Sequence, residues 1–178
     1  GLDDAGKVAA ITEVVSAESR SYTTAAVASS NQTDGITSVF DPDGNKIILI
    51  NKHDSNGHLY YRVGTISSNT VTWGTEAVIQ ASSCSLTEYS SCYDTTNNKV
   101  VIAYKKNDTS TGVARVGTVS GTTITWGSEQ QFPSTNIGSG NSITYDSAAD
   151  AVVINFYDIG STATACSIAG TLSGTTIT

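Results

Sequence analysis

Residues 62–76 read RVGTISSNTVTWGTE, residues 115–129 read RVGTVSGTTITWGSE, and residues 168–178 read IAGTLSGTTIT. Gly64, Gly117 and Gly170 therefore recur every 53 residues, as do Trp73 and Trp126. A second landmark lies upstream of each copy. FDPDGNKIILIN starts at Phe40, YDTTNNKVVIAY at Tyr93 and YDSAADAVVINF at Tyr145. Their aspartates, Asp41, Asp94 and Asp146, are separated by 53 and 52 residues. Two landmarks in different parts of a unit that keep one period define a tandem repeat, and a period near 50 points to an array of supersecondary units.

Within a unit the pattern is β throughout. In the middle copy Tyr89 to Asp94 reads as a short strand. Residues 95–98, TTNN, follow as a tight turn, rich in side chains that bond their own backbone or tolerate a left-handed one. Lys99 to Lys105, KVVIAYK, is a nearly continuous β-branched and aromatic run, the composition of a strand covered on both faces. Asn107 to Gly112 reads as a polar loop and Val113 to Val119 as a third strand. Ser120-Gly121 signals a two-residue hairpin. Thr122 to Trp126 alternates Thr with Ile and Trp as a fourth strand, which Glu129 to Phe132 extends or follows.

A four-stranded unit with apolar residues on both faces needs neighbours to cover it. The expected fold is all-β: tandem four-stranded antiparallel meanders over residues 36–74, 89–127 and 142–178. They are expected to stack as a β-propeller-like array, partial or completed by oligomerisation, with a β-solenoid stack as the alternative. Ile47 to Ile50, Val100 to Ala103 and Val152 to Ile154 are the expected buried runs. Tyr22 to Ala28 matches Thr75 to Ala81, so the repeat domain covers residues 22–178 in about three 53-residue units. Residues 1–21 are an N-terminal segment. Within it AAITEVVSA, Ala9 to Ala17, is apolar enough to serve as a strand exchanged between subunits.

The signature YD-turn-KVVIAY followed by VGTVSGTTITWGSE resembles tandem repeats of phage tail fibres and of other virion or secreted structural proteins. The resemblance covers about residues 22–178 and implies a propeller-like fold and a structural role; it carries no catalytic residues. The third copy departs from it, with Ala151 where the others have Lys46 and Lys99, and Ile168 in place of Arg62 and Arg115. These changes predict a different neighbour for the third unit.

Composition narrows the function classes. The 178 residues carry a formal net charge of -7 and only 14% charged residues. So few cations disfavour nucleic acid and anionic membranes as partners, because both are bound through clustered Lys and Arg. Abundant Ser and Thr, scarce Lys and no Met point to an extracellular or virion surface. Of the three cysteines, Cys84 and Cys92 are the candidate disulfide pair. Neither a cofactor nor a metal is expected, since no zinc-type Cys/His spacing occurs.

Several residues are candidates for chemistry. Asp41-Pro42-Asp43-Gly44-Asn45 has part of a calcium-loop pattern but lacks its closing acid, and reads better as a turn capped by its own aspartate. His53, Asp54, Asn107, Asp108, Tyr157 and Asp158, assigned to loops between second and third strands, are candidate glycan contacts. No nucleophile is placed beside His53 or His58 by any motif, so catalysis there is unsupported. Trp73 and Trp126 read as packing between units rather than sugar platforms. Asn31 and Asn107 head N-glycosylation sequons. The expected function is a non-enzymatic structural repeat protein forming a fibre or filament with copies of itself. A glycan-binding propeller adhesin is the alternative and a fragment of a carbohydrate-active hydrolase the remote one.

Overall fold

The computed structural model describes residues 25–131, 136–138, 140–160 and 163–178. The N-terminal segment 1–21, with its candidate exchanged strand, lies outside the described residues. Among the described residues every regular element is a β-strand. The first sheet contains β1 (Thr33–Asp41), β2 (Lys46–His53), β3 (Leu59–Ser67), β4 (Thr70–Trp73) and β5 (Ala77–Gln80), with β4 and β5 sharing the far edge of β3. The second repeats the plan with β6 (Cys84–Asp94), β7 (Lys99–Lys106), β8 (Gly112–Ser120), β9 (Thr123–Trp126) and β10 (Gln130–Gln131). The third has β11 (Ser142–Asp146), β12 (Ala151–Asp158) and β13 (Thr164–Gly170). Here β14 (Leu172–Ser173) follows β13 and pairs with β15 (Thr176–Ile177). All pairings are antiparallel. Each unit is the expected four-stranded meander. In the first two, the fourth strand is interrupted after its Trp by Gly-Thr-Glu or Gly-Ser-Glu.

The aspartate turns close the first hairpin of every unit. Asp41 Oδ1 accepts the Gly44 amide at 2.9 Å, and Asp94 Oδ1 accepts those of Thr96 and Asn97, each at 2.9 Å. Asp146 Oδ1 accepts those of Ala148 and Ala149 at 2.9 and 3.2 Å. Asn45, Asn98 and Asp150 take φ of 49°, 55° and 52°, the left-handed region that Asn and Asp enter at least cost. The second hairpin turns one residue later than the sequence predicts. Ser120 pairs with Thr123, so the turn is Gly121-Thr122 rather than Ser120-Gly121. The physical reason is that the left-handed residue, Gly121 at φ 59°, must be the first of the two turn residues.

The sheets stack face to face, closest at their first strands and diverging toward their outer hairpins, which is the wedge geometry of propeller blades. Thr37 Oγ1 lies 3.2 Å from Ser91 Oγ, and the Ile143 amide donates to Ser90 Oγ at 3.3 Å. Each sheet has a leading face toward the preceding unit and a trailing face toward the next. Ile48, Ile50, Leu59, Tyr61 and Val63 on the first trailing face pack with Tyr93, Val100, Ile102, Tyr104 and Ile124 on the second leading face. Cys92, Val101, Ala103, Ala114 and Val116 then pack with Ile143, Val152, Ile154 and Phe156 of the third. Only the middle of the three expected runs is buried throughout: Val100 to Ala103 are all at 0% exposure. Ile47, Leu49 and Val153 are half-buried because the outer sheets each have one neighbouring sheet among the described residues.

The candidate Cys84–Cys92 disulfide is not formed, and both thiols are free. Both residues lie on β6, whose pairing with β7 is irregular between Cys84 and Tyr89. Their partners on β7, Lys106 and Val101, are five residues apart, on the order of 17 Å along the strand and beyond disulfide reach. Cys84 belongs to the first core and Cys92 to the second, so they also face opposite ways.

The two interfaces hold the same backbone position by different side chains. In the first, the Tyr61 hydroxyl donates to Ile124 O at 3.2 Å and accepts the Ile124 amide at 2.9 Å. In the second, Gln130 Nε2 donates to Ile177 O at 3.0 Å and the Ile177 amide donates to Gln130 Oε1 at 2.7 Å. Ile124 and Ile177 are repeat-equivalent. The position of Tyr61 is taken by Ala114 in the second unit, and that of Gln130 by Ala77 in the first. The exchange leaves a cavity of about 170 Å³ lined by Ala114, Gln130, Gln131, Ile154, Ile168 and Ile177. Ile168, the third copy's departure from the Arg pattern, is thus an apolar wall of this cavity.

Urea denaturation tests the clamp. Tyr61→Phe removes two hydrogen bonds and leaves Ile124 backbone groups without them, an expected loss of about 1–3 kcal/mol. Tyr61→Ala adds a cavity, for a loss of roughly 3–5 kcal/mol. Ala114→Leu, filling space the second interface leaves open, is expected to gain about 0.5–2 kcal/mol. A Tyr61→Phe variant as stable as the parent would show that packing alone holds the first interface.

Candidate functional site

The glutamate that ends each TWGTE or TWGSE motif reaches across the third strand to the end of the second. Glu76 Oε1 lies 3.2 Å from His53 Nε2, and the His53 ring stacks on Tyr60 at 3.7 Å. Asn31 Nδ2 adds a long contact to Glu76 Oε2 at 3.4 Å. In the second sheet Lys106 Nζ donates to Glu129 Oε2 at 3.1 Å, and the Tyr104 hydroxyl donates to Glu129 Oε1 at 2.8 Å. His53 and Lys106 occupy one repeat position, as do Glu76 and Glu129. The contact between this carboxylate and a side-chain nitrogen at the end of the second strand is therefore a device of the unit. Sequence reasoning missed it, although the recurrence of Glu three residues after each Trp was a readable signal.

Charge states follow from these contacts. Burial pushes the Glu76 carboxyl up, but hydrogen bonds from Ser29 and His53, with the charges of His53 and Arg62, outweigh it and leave the group below its ordinary value. The hydrogen bond to Glu129 raises Lys106 against the opposing effect of burial. Burial first, then the Glu129 hydrogen bond, pushes the Tyr104 hydroxyl far up. Burial pushes the Cys84 and Cys92 thiols up to about 12, which leaves them protonated and unreactive at neutral pH.

The six candidate glycan contacts do not form one repeated constellation. His53 closes β2 instead of lying in a loop; it is buried and engaged by Glu76 and Tyr60. Asp54 is exposed, and its carboxyl is raised by a hydrogen bond to Asp34, then by that residue's charge and by burial, against the pull of Lys52. Asn107 lies in the loop, but its Nδ2 donates to Ser83 Oγ at 2.9 Å and Cys84 O at 3.1 Å, tying the loop to the preceding linker. Asp108 is exposed. Tyr157 and Asp158 end β12 rather than lying in a loop; Asp158 Oδ1 accepts the Gly160 amide at 2.8 Å. By register His53, Lys106 and Asp158 are equivalent, whereas Asn107 is the counterpart of Asp54. Of the sequon asparagines, Asn31 is exposed, whereas a glycan on Asn107 would sacrifice the Ser83 and Cys84 contacts.

Trp126 packs edge-on against Tyr61, ring centres 5.9 Å apart. A Cβ at Gly64 or Gly117 would meet the ring of Trp73 or Trp126 at 2.8 Å, so each indole lies down on a glycine of its own sheet. Among the described residues no group of three or more His, Cys, Asp or Glu side chains is placed to hold a metal ion.

The trailing face of the third sheet differs from the other two. One rung across the first sheet joins Thr37, Ile50 and Tyr61, and its counterpart in the second joins Ser90, Ala103 and Ala114. In the third it joins Ser142, Asn155 and Ser167. Ser167 Oγ donates to Asn155 Oδ1 at 2.6 Å, and Asn155 Nδ2 makes a longer contact to Ser142 Oγ at 3.4 Å. These three side chains and Tyr157 line an open groove of about 420 Å³. Comparison of the chain with protein-family models and with curated proteins finds no match.

The sign of the Glu76 shift makes a pH prediction. A carboxyl depressed in the fold contributes stability that is fully present above its unfolded value, near 4.5, and is lost as the pH falls through the folded value. Glu76→Gln is expected to lower stability at pH 7 and to flatten the acid limb of a urea-midpoint profile below about pH 4.5. An acid limb as steep as the parent's would place the titrating group elsewhere.

Proposed function

We propose that this chain is a non-enzymatic structural repeat protein of an extracellular or virion surface, which joins copies of itself into a fibre or filament. The observation that carries the reading is where the repeated polar groups go. The Asp turns cap themselves, and that of the first unit receives the Tyr93 hydroxyl of the next sheet. Arg115 donates from Nε to Gly127 O at 3.0 Å and from Nη1 to Ile79 O of the preceding unit. Tyr61 and Gln130 clamp backbone, and Glu76 and Glu129 hold the second strands. The polar side chains of the units are engaged in holding strands and sheets together.

The leading face of the first sheet supports the assembly part of this reading. It presents the same pattern to no sheet among the described residues. Ile36 is 68% and Phe40 46% exposed, and Ile66 and Val78 are exposed beside them. An apolar surface of this kind fits a strand or sheet of another subunit. Such a contact joins unlike surfaces, so it propagates as a ring or filament. The location rests on the Ser/Thr-rich composition and on the resemblance to tail-fibre repeats.

Light scattering and negative-stain microscopy test the assembly. Ile36→Ser with Phe40→Ser is expected to abolish large species while leaving the β circular-dichroism spectrum intact. Deletion of residues 1–17 is expected to do the same if the segment Ala9 to Ala17 is the exchanged strand. Assembly of both altered proteins to the parent's extent would overturn the reading.

A further inference from the structure

Beyond a structural role, we propose that the trailing face of the third sheet is a binding groove for a neutral pyranoside. The argument starts from a broken pattern. At one rung the first two sheets bury Ile50 with Tyr61 and Ala103 with Ala114. The third sheet substitutes Asn155 and Ser167 at those positions. Substitution by small apolar groups would have kept the pattern, and substitution by lysine or glutamate would have made an ordinary solvated face. Instead the sheet carries an uncharged amide between two hydroxyls, one on each flanking strand.

That row is ordered by its own contacts. Ser167 fixes the Asn155 oxygen at 2.6 Å, which leaves the amide nitrogen directed toward the Ser142 side of the sheet. Two strand positions further, Tyr157 projects from the same face of β12 with 39% of its surface exposed. Its position is set from behind: a Cβ at Gly138 would lie 2.6 Å from Tyr157 Cδ1, and the Gly138 amide donates to Tyr157 O at 2.7 Å. A pre-positioned aromatic face beside a fixed amide and hydroxyls is complementary to a sugar ring. The apolar C–H side of a pyranose covers the phenol, and its hydroxyls exchange hydrogen bonds with the amide row.

The groove's volume, about 420 Å³, lies within the range of small-molecule sites and admits one or two sugar rings. The ligand class is set by charge. None of the described residues lining the groove is acidic or basic, and the chain's net charge of -7 opposes anionic sugars. Neutral glycosides are what remain.

Saturation-transfer difference NMR on the full chain tests this with methyl β-D-glucopyranoside, methyl β-D-galactopyranoside and methyl N-acetyl-β-D-glucosaminide as probes and N-acetylneuraminic acid as the charged control. Transfer to at least one neutral glycoside is expected, with none to the acid. Asn155→Leu and Tyr157→Ala are each expected to reduce the signal about tenfold, the effect of losing on the order of 1.4 kcal/mol. Unchanged circular dichroism would show that both variants fold. No transfer to any neutral probe, transfer that survives both substitutions, or preference for the acid would overturn the proposal. Light scattering on the same samples separates this outcome from the assembly reading, because neither substitution touches the leading face of the first sheet.

Discussion

Burial of a second sheet face is the constraint on which the rest of the structure depends. A meander whose strands read KIILIN, KVVIAY and AVVINF has apolar side chains on two sides. Hydrogen bonding within the sheet satisfies its backbone but covers neither side. Each aliphatic side chain taken out of water contributes about 1.5–3 kcal/mol, against roughly 0.5–1.5 kcal/mol net for a hydrogen bond. The middle sheet, covered on both faces, is accordingly the anchor, and Val100 to Tyr104 at 0% exposure is its centre. The narrow first strands and the spread outer hairpins follow from packing such sheets around a common line instead of in a flat pile.

The two interfaces show how much freedom that constraint leaves. Ile124 and Ile177 need a donor and an acceptor from the preceding sheet, because their backbone groups would otherwise be buried without partners. Tyr61 supplies both through one hydroxyl and Gln130 supplies both through one amide. The compensating alanines, Ala77 and Ala114, make room where the other unit's clamp would stand. What repeats is a geometric requirement on the backbone, and the residue that meets it is free to change if its neighbour changes with it. The same holds for the nitrogen group opposite each glutamate, histidine in one unit and lysine in the next.

The stack is also polar along its length. Its leading end presents Ile36, Phe40, Ile66 and Val78; its trailing end presents Ser142, Asn155 and Ser167. An apolar end favours another sheet, since covering it recovers the same burial that holds the units together. A trailing end built of hydroxyls and an amide gains little from an apolar partner, because its polar groups would lose their hydration. The two faces therefore differ in chemistry, one apolar and the other carrying uncharged polar groups.

The amino-acid sequence by itself determined the all-β class, the 53-residue unit, the four-strand order and the capped aspartate turns. Each of these is local: alternation, turn residues and a repeated Gly-Trp pair act within a few residues or recur at one spacing. The one-residue shift of the hairpin at Gly121-Thr122 marks the limit of such reading, since only strand pairing fixes which residue is first in the turn. The remaining features needed the tertiary structure. Cys84 and Cys92 looked close in the chain, but an extended strand carries them apart and turns them to opposite cores. His53 and Asn107 looked like free loop residues until Glu76, Ser83 and Cys84 were brought to them from other strands. The polar rung of Ser142, Asn155 and Ser167 is spread over three strands of the chain. It becomes a single row only because antiparallel register sets residues far apart in sequence directly opposite one another.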